Sequence, residues 1–342
     1  MSLQNQLTLF TNIFQTYRHI ATSRLGSFVK GGYIGPDVGT AVSHNKILAC
    51  KKAVSEAIER RAIMLGGKEI HGYVETWELI GKQKSKLPVC FTTYSDKFPH
   101  YIDTTGSASY PDSQKAVFYA IKELLEKNAL LLFWYLKNGY RIDSSLFNIM
   151  NNAYYRLLSR KYEVSIFLCT YFSPLKVVFT LIYSDDSYPM GGVGSSLNFK
   201  EAIIKSLEET YLLKCLELIN DDIKIFPKSN KGSEEDKLSC VRYVEELSTL
   251  DTYKYTEKDD GPTNEKGDLR LLFNCIPEWV ADLHLIFLPQ LMFPALKCVK
   301  VFSRDLLNCL PSKKTINPDI KICKKFGLNT EKLEQVVDCP IL

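Results

Sequence analysis

The stretch GGVGSSLNFKEAIIKSLEETY, residues 191–211, decides how this chain is read. Small residues run straight into a segment of helical periodicity, which predicts a loop opening a helix over about residues 199–218. Gly and Ser ahead of a helix leave backbone N–H groups free, and such a terminus is a ready anion site. The Lys of a Walker-type phosphate loop is missing, so the stretch alone is a weak sign of nucleotide binding.

The same pattern occurs twice upstream. Residues 39–56 read GTAVSHNKILACKKAVSE, residues 106–123 read GSASYPDSQKAVFYAIKE, and residues 192–209 read GVGSSLNFKEAIIKSLEE. Without a gap, Ala49, Ala116 and Ala202 coincide, then Ala53, Ala120 and Ser206, then Val54, Ile121 and Leu207, and finally Glu56, Glu123 and Glu209. Small residues at i and i+4 share a helix face and allow close backbone packing. Glu56 and Glu59 share a face by their i,i+3 spacing, as do Glu123 and Glu126. A single acidic pair is usually a solvated helix face, and a small-residue run is usually only a cap. Agreement of three units in spacing points further. Carboxylates drawn together from separate helices repel unless a cation joins them, and magnesium does so with hard oxygen ligands and substrate phosphates. The pattern therefore predicts three loop–helix units converging on one magnesium–phosphate cluster, with a threefold repeat of architecture without chemistry as the alternative.

The chain has 342 residues, 45% of them hydrophobic, enough for one large core. A net charge of +4 is too small to imply a nucleic-acid or membrane surface. Ten cysteines contain no CxxC pair, which argues against structural zinc and for reduced thiols in a cytoplasmic protein, with Cys50 expected to be buried. The start lacks a secretory signal, and the apolar region 281–299 is too interrupted for a membrane span.

Along the chain, residues 1–20 are expected to hold an N-terminal helix, followed by strand and loop in SRLGSFVKGGYIGPDVG. Helices are expected over 47–65, 113–137 and 144–160, and a short strand in LPVCFTTYS. EVSIFLCTYF and KVVFTLIYS read as a hairpin around SPL. Residues 226–268 are polar and turn-rich, a surface insertion. CVKVFSRD reads as a strand and TEKLEQVV as a short helix capped by Thr330, within a C-terminal tail over 331–342. The whole is an α/β (α+β) chain organised as one domain over 1–342. Trp134 and Tyr135 are expected in its core. His44, His71 and His100 are lesser acid–base candidates, since a lone His is more often structural.

AVSEAIERRA, GSASYPDSQKAVFYAIKELLEKNALLLFW and GGVGSSLNFKEAIIKSLEETY resemble three successive motifs of the YcaO family of ATP-dependent peptide-backbone-modifying enzymes, and SRLGSF resembles its opening strand. The likeness is clear over about residues 20–215. It implies a YcaO-like fold whose helices bind ATP with Mg between them. By position, Glu56, Glu59, Glu123, Glu126 and Glu209 would serve the metal, and Arg60, Lys127, Ser195 and Ser196 the ATP phosphates. The implied chemistry is cyclodehydratase-like. A nucleophile adds to a backbone amide, ATP phosphorylates the former carbonyl oxygen, and loss of phosphate leaves an azoline from Cys, Ser or Thr. The substrate would be a ribosomally synthesised, bacteriocin-like precursor peptide that becomes thiazole/oxazole-modified. A separate E1-like or leader-peptide-binding protein would deliver it, nucleic acid and membrane play no part, and a homodimer is compatible.

Departures from the family pattern favour two other readings. Lys52 stands where the family has Ser, Lys115 where it often has an acid, Leu212 where it has Gln, Lys127 for Arg and Asn128 for Asp. These suit a degenerate, non-catalytic scaffold or regulatory subunit. The ending VVDCPIL, with the single Pro340, lacks a Pro-rich tail, which suits thioamide formation with a sulfur-delivery partner.

Overall fold

The computed structural model describes residues 18–26, 29–30, 33–34, 38–97, 100–184, 187–223, 233–263, 268–290 and 292–341. Three strand–helix pairs organise it. Strand Val38–Ser43 leads to helix Lys46–Leu65, strand Ser107–Tyr110 to helix Ser113–Leu136, and strand Ser187–Ser196 to helix Phe199–Ile223. We call these the first, second and third repeat helices. Each leading strand lies at the edge of its own antiparallel sheet. The first pairs with His19–Arg24. The second starts a six-stranded sheet that continues through Lys297–Phe302, His284–Leu288 and Tyr73–Glu78. The third ends a four-stranded sheet built on the hairpin Glu163–Cys169 and Lys176–Ser184. The α/β class and the three units thus stand, with a strand rather than a loop ahead of each helix.

The glycines explain the difference. A Cβ on Gly39 would lie 2.1 Å from the Ala53 carbonyl oxygen and 2.5 Å from the Ala57 nitrogen. One on Gly194 would lie 2.3 Å from the Ser206 nitrogen and 2.6 Å from the Ala202 oxygen. The small residues therefore meet from both sides: Gly on the strand and Ala49, Ala53 and Ala57, or Ala202, Ser206 and Thr210, on the helix, all buried. Close backbone approach is their task. The helix termini are closed by their own caps. Asn45 accepts from Leu48 N at 3.0 Å, Asp112 from Lys115 N at 2.9 Å and Asn198 from Glu201 N at 3.0 Å.

The second repeat helix is buried nearly all round in its C-terminal half, as a central core helix must be. Phe133 stacks on Phe179 with centroids 4.5 Å apart, and the Trp134 indole N–H donates to the Val337 carbonyl at 2.8 Å. Trp134 and Tyr135 are core residues, as their apolar setting suggests.

Several expectations are corrected. Residues 19–20 begin a strand, and residues 1–17 of the expected N-terminal helix lie outside the described residues. LPVCFTTYS ends a strand at Pro88 and continues as a 3-10 turn. The helix at 144–160 is split: positive φ at Phe147 and Asn148 breaks it, leaving a 3-10 segment and the helix Ala153–Leu158. Within 226–268, residues Glu234–Leu247 form a helix opened by a Ser233–Asp236 capping box. It packs Cys240, Val244 and Leu247 into the core, and the Tyr243 hydroxyl donates to the Trp134 carbonyl. The cap of Thr330–Gln335 is Asn329, not Thr330. Cys50 is exposed, while all ten cysteines are free. Among the described residues no helix is long and apolar enough to cross a membrane.

Candidate active site

Helical pitch brings the repeated glutamates to one place. Glu56, Glu123 and Glu209 occupy equivalent positions on the three repeat helices, and Glu59 and Glu126 lie one turn on. Their charges act on one another across helices: Glu59 and Glu126 on Glu123, and Glu56 and Glu126 on Glu209. Lys127 stands among them, 3.6 Å from a Glu126 oxygen. All are at least half-buried, so the repulsion is only weakly screened by water.

Protonation behaviour follows. Burial raises the Glu59 carboxyl to about 7, with Glu56 adding to the rise and a 2.6 Å hydrogen bond from the Ser107 hydroxyl opposing it. Burial also raises Glu209 to about 7 against the pull of Lys127. Glu123 is pushed well above the carboxylate range by burial and then by Glu59. Glu126 goes the other way: burial is outweighed by Lys122 and Lys127, so it is held below its ordinary value. Burial is likewise outweighed at Lys127, whose ammonium Glu126, Glu123 and Glu209 hold above its ordinary value.

The nine residues assigned from sequence have unequal positions. Glu126 is already engaged, by Lys122 Nζ at 3.3 Å and by the Ser195 hydroxyl. Glu56 accepts from the Thr40 N–H at 2.8 Å and pairs with Arg60 at 2.7 Å. Arg60 also donates to the Val38 carbonyl at 2.8 Å, so its guanidinium is spent on the protein. Ser196 donates to Glu201 at 2.7 Å and accepts from the Asn198 N–H, closing the strand–helix turn, while Ser195 faces Glu126 and Lys122. Among the described residues, no cation lies within ion-pair distance of Glu123 or Glu209. The five carboxylates are not one ready ligand sphere: among the described residues no three His, Cys, Asp or Glu side chains stand at metal-holding spacing. The donor chemistry nevertheless fits magnesium, which takes one or two carboxylates and completes its shell with water and phosphate oxygens. Glu123, Glu209 and Glu59 are the under-compensated groups that such an ion would satisfy.

Other members of the site were not legible beforehand. Lys300 is fully buried beneath the carboxylates and donates to the carbonyls of Asp103 at 3.0 Å and Thr105 at 2.7 Å. Asp103 acts on Glu123 and Lys127 from the loop before the second unit. Their one sequence signal was a charged residue in or beside an apolar strand. His44 and His71 are exposed and share no hydrogen bond with the cluster, while His100 opens the short strand His100–Ile102.

Comparison with known proteins gives a consistent picture. The sequence model of the family described as YcaO cyclodehydratase, ATP- and Mg2+-binding, matches residues 69–272. That match starts after the first repeat helix and runs beyond residue 215. No curated protein matches the sequence. Among solved structures, a chain of the E. coli microcin synthetase McbBCD complex with pro-MccB17 bound superposes with a TM-score of 0.69. It shares 15% identity, covering 94% of this chain and 96% of that one. YcaO from Methanopyrus kandleri bound with AMPPCP and Mg2+ gives a TM-score of 0.64 at 13% identity, covering 85% and 86%. A heterocyclase in complex with substrate and cofactor gives 0.56 at 14% identity, covering 79% of this chain and 45% of that one.

Proposed function

This chain belongs to the YcaO family, and on that premise we propose that it modifies the backbone of a ribosomally synthesised peptide with ATP and Mg2+. The observation that carries the proposal is the set of buried carboxylates Glu59, Glu123 and Glu209, each pushed up by burial and by neighbouring glutamates, with Lys127 acting on Glu123 and Glu209. A divalent ion chelated to a polyphosphate supplies the missing positive charge and brings its own oxygen ligands.

When bound, magnesium–ATP would supply the phosphoryl group that makes an amide oxygen a leaving group. The chain's own contribution is positional and electrostatic. Glu123 and Glu209, on the second and third repeat helices, would be the residues to hold the ion, together with Glu59, whose carboxylate the Ser107 hydroxyl fixes. Lys127 places one positive charge beside Glu126, Glu123 and Glu209. Arg60 ties Glu56 and the first repeat helix to that helix's own leading strand at Val38. Azoline formation on Cys, Ser or Thr is the finer reading, supported by the likeness to the microcin synthetase chain and the heterocyclase. That likeness also supports a precursor peptide as substrate and a separate delivery protein as partner. The test is incubation with ATP, Mg2+ and a candidate precursor, alone and with its delivery protein. A loss of water from the peptide's mass supports the azoline, and replacement of oxygen by sulfur supports the thioamide.

One observation favours a second reading. Lys122 and Lys127 already neutralise Glu126, as a degenerate site would. A non-catalytic scaffold predicts partner binding with no nucleotide hydrolysis under any of these conditions.

A further inference from the structure

Beside the carboxylates lies a group of three lysines, one from each repeat helix, of which only Lys122 has a part in the carboxylate site. Lys52, Lys122 and Lys205 project from the three repeat helices, one from each. Lys122 Nζ and Lys205 Nζ stand 5.9 and 5.8 Å from the centre of the same ring, Tyr119. Lys52 reaches across to the third helix, 3.8 Å from Glu208, one turn after Lys205. Lys205 experiences the charges of both Lys122 and Lys52. The side chains are 49% exposed at Lys52, 32% at Lys205 and 10% at Lys122, which grades the cluster from surface to interior. At the interior end, Lys122 donates to the Ser195 hydroxyl at 2.8 Å and meets Glu126 at 3.3 Å, where the basic side joins the acidic side.

Three ammonium groups do not converge without cost. Each has one carboxylate neighbour: Glu208 for Lys52, Glu126 for Lys122 and Glu201, at 3.3 Å, for Lys205. For Lys205 that is not enough. Burial, then Lys122, with a smaller push from Lys52, hold its ammonium below the ordinary lysine value despite Glu201. Glu123 and Glu209 thus have no cation at ion-pair distance among the described residues, while Lys205 shares its surroundings with two further ammonium groups.

We infer that Lys52, Lys122 and Lys205 form a polyphosphate-binding subsite that grips the phosphate chain directly, without a metal ion, beside the carboxylates that take the cation. The inference rests on the magnesium–ATP reading above and adds a division of labour to it. The lysines neutralise phosphate oxygens in place of additional metal, and Lys52, the most exposed of them, makes the first contact. Lys52 is then a working part of the site rather than a mark of decay.

The test is calorimetric binding of inorganic tripolyphosphate to the full-length protein in EDTA, with ATP plus Mg2+ measured in parallel. Wild type is expected to bind tripolyphosphate without metal. Lys205→Gln and Lys52→Gln should each weaken it about tenfold, and Lys205→Arg should restore most of the binding. Lys324→Gln, which removes an exposed lysine paired with Asp319 far along the chain from the repeat helices, should leave it unchanged. Thermal melts establish that each variant is folded. Should ATP with Mg2+ bind while tripolyphosphate does not bind without metal, or should the Lys52 and Lys205 variants bind it like wild type, the subsite is refuted and the magnesium–ATP reading survives. Absence of both kinds of binding refutes both.

Discussion

Replacing Glu209 by Gln should make the ligand-free protein more stable at alkaline pH. Glu209 moves from an ordinary 4.5 to about 7 because burial and the charges of Glu56, Glu126 and Glu208 outweigh Lys127. That displacement places about 3 kcal/mol on the charged form. The folded state holds this proton more tightly than the unfolded chain. The protonated group's contribution is therefore complete below about pH 4.5 and is lost as pH rises through about 7. Gln keeps the shape and cannot ionise, so the variant escapes the loss. At pH 8 Glu209→Gln should exceed wild type by roughly 1–3 kcal/mol, or about 2–4 °C in Tm for a chain of this size. At pH 5 the gap should shrink to below about 1 kcal/mol. Urea and thermal unfolding in EDTA at both pH values measure this. A variant no more stable than wild type at pH 8, or equally stabilised at pH 5, refutes the account of a repelling carboxylate cluster.

Other perturbations read different parts of the account. Lys127→Gln removes the ammonium among Glu123, Glu126 and Glu209 and should cost about 2–4 kcal/mol at pH 8 in urea melts, less at pH 5; equal losses at both pH values would contradict it. Gly39→Ala drives a Cβ to 2.1 Å from the Ala53 carbonyl and should cost about 3 kcal/mol or more, whereas a loss below about 1 kcal/mol would disprove close helix–strand contact. Leu247→Ala should cost about 2–5 kcal/mol if the helix Glu234–Leu247 is part of the core, and almost nothing if that region is a dispensable insertion.

The helical signal was local and therefore readable. Ala49, Ala53, Ala116 and Ala120 mark the buried stripes, and that register puts the repeated glutamates on neighbouring faces. The strand of Gly191 to Ser196 was not readable, because glycine scores as a turn residue wherever no neighbouring helix is in view. Only the backbone of Ala202 and Ser206 explains why Gly194 has no side chain. The helix Glu234–Leu247 carried its stripe openly, with Cys240, Tyr243, Val244 and Leu247 at i, i+3, i+4 and i+7. Its charged outer face and the turn-rich segments on either side concealed it. Within the site, the glutamates came from the repeat, but their inequality did not. That Glu126 is neutralised while Glu123 is not depends on Lys122, Ser195 and Asp103, which lie far from one another in sequence. The contacts of Arg60 were hidden for the same reason: its bonds to Glu56 and the Val38 carbonyl exist only once the first strand packs on the first helix.

The most direct test of the central claim is ATP binding by calorimetry with and without Mg2+, in wild type and in Glu59→Gln/Glu123→Gln. The account predicts at least about tenfold tighter binding with Mg2+ in wild type, and loss of that gain in a variant that still melts cooperatively at pH 5. Affinity indifferent to Mg2+, or a gain retained by the variant, would contradict it.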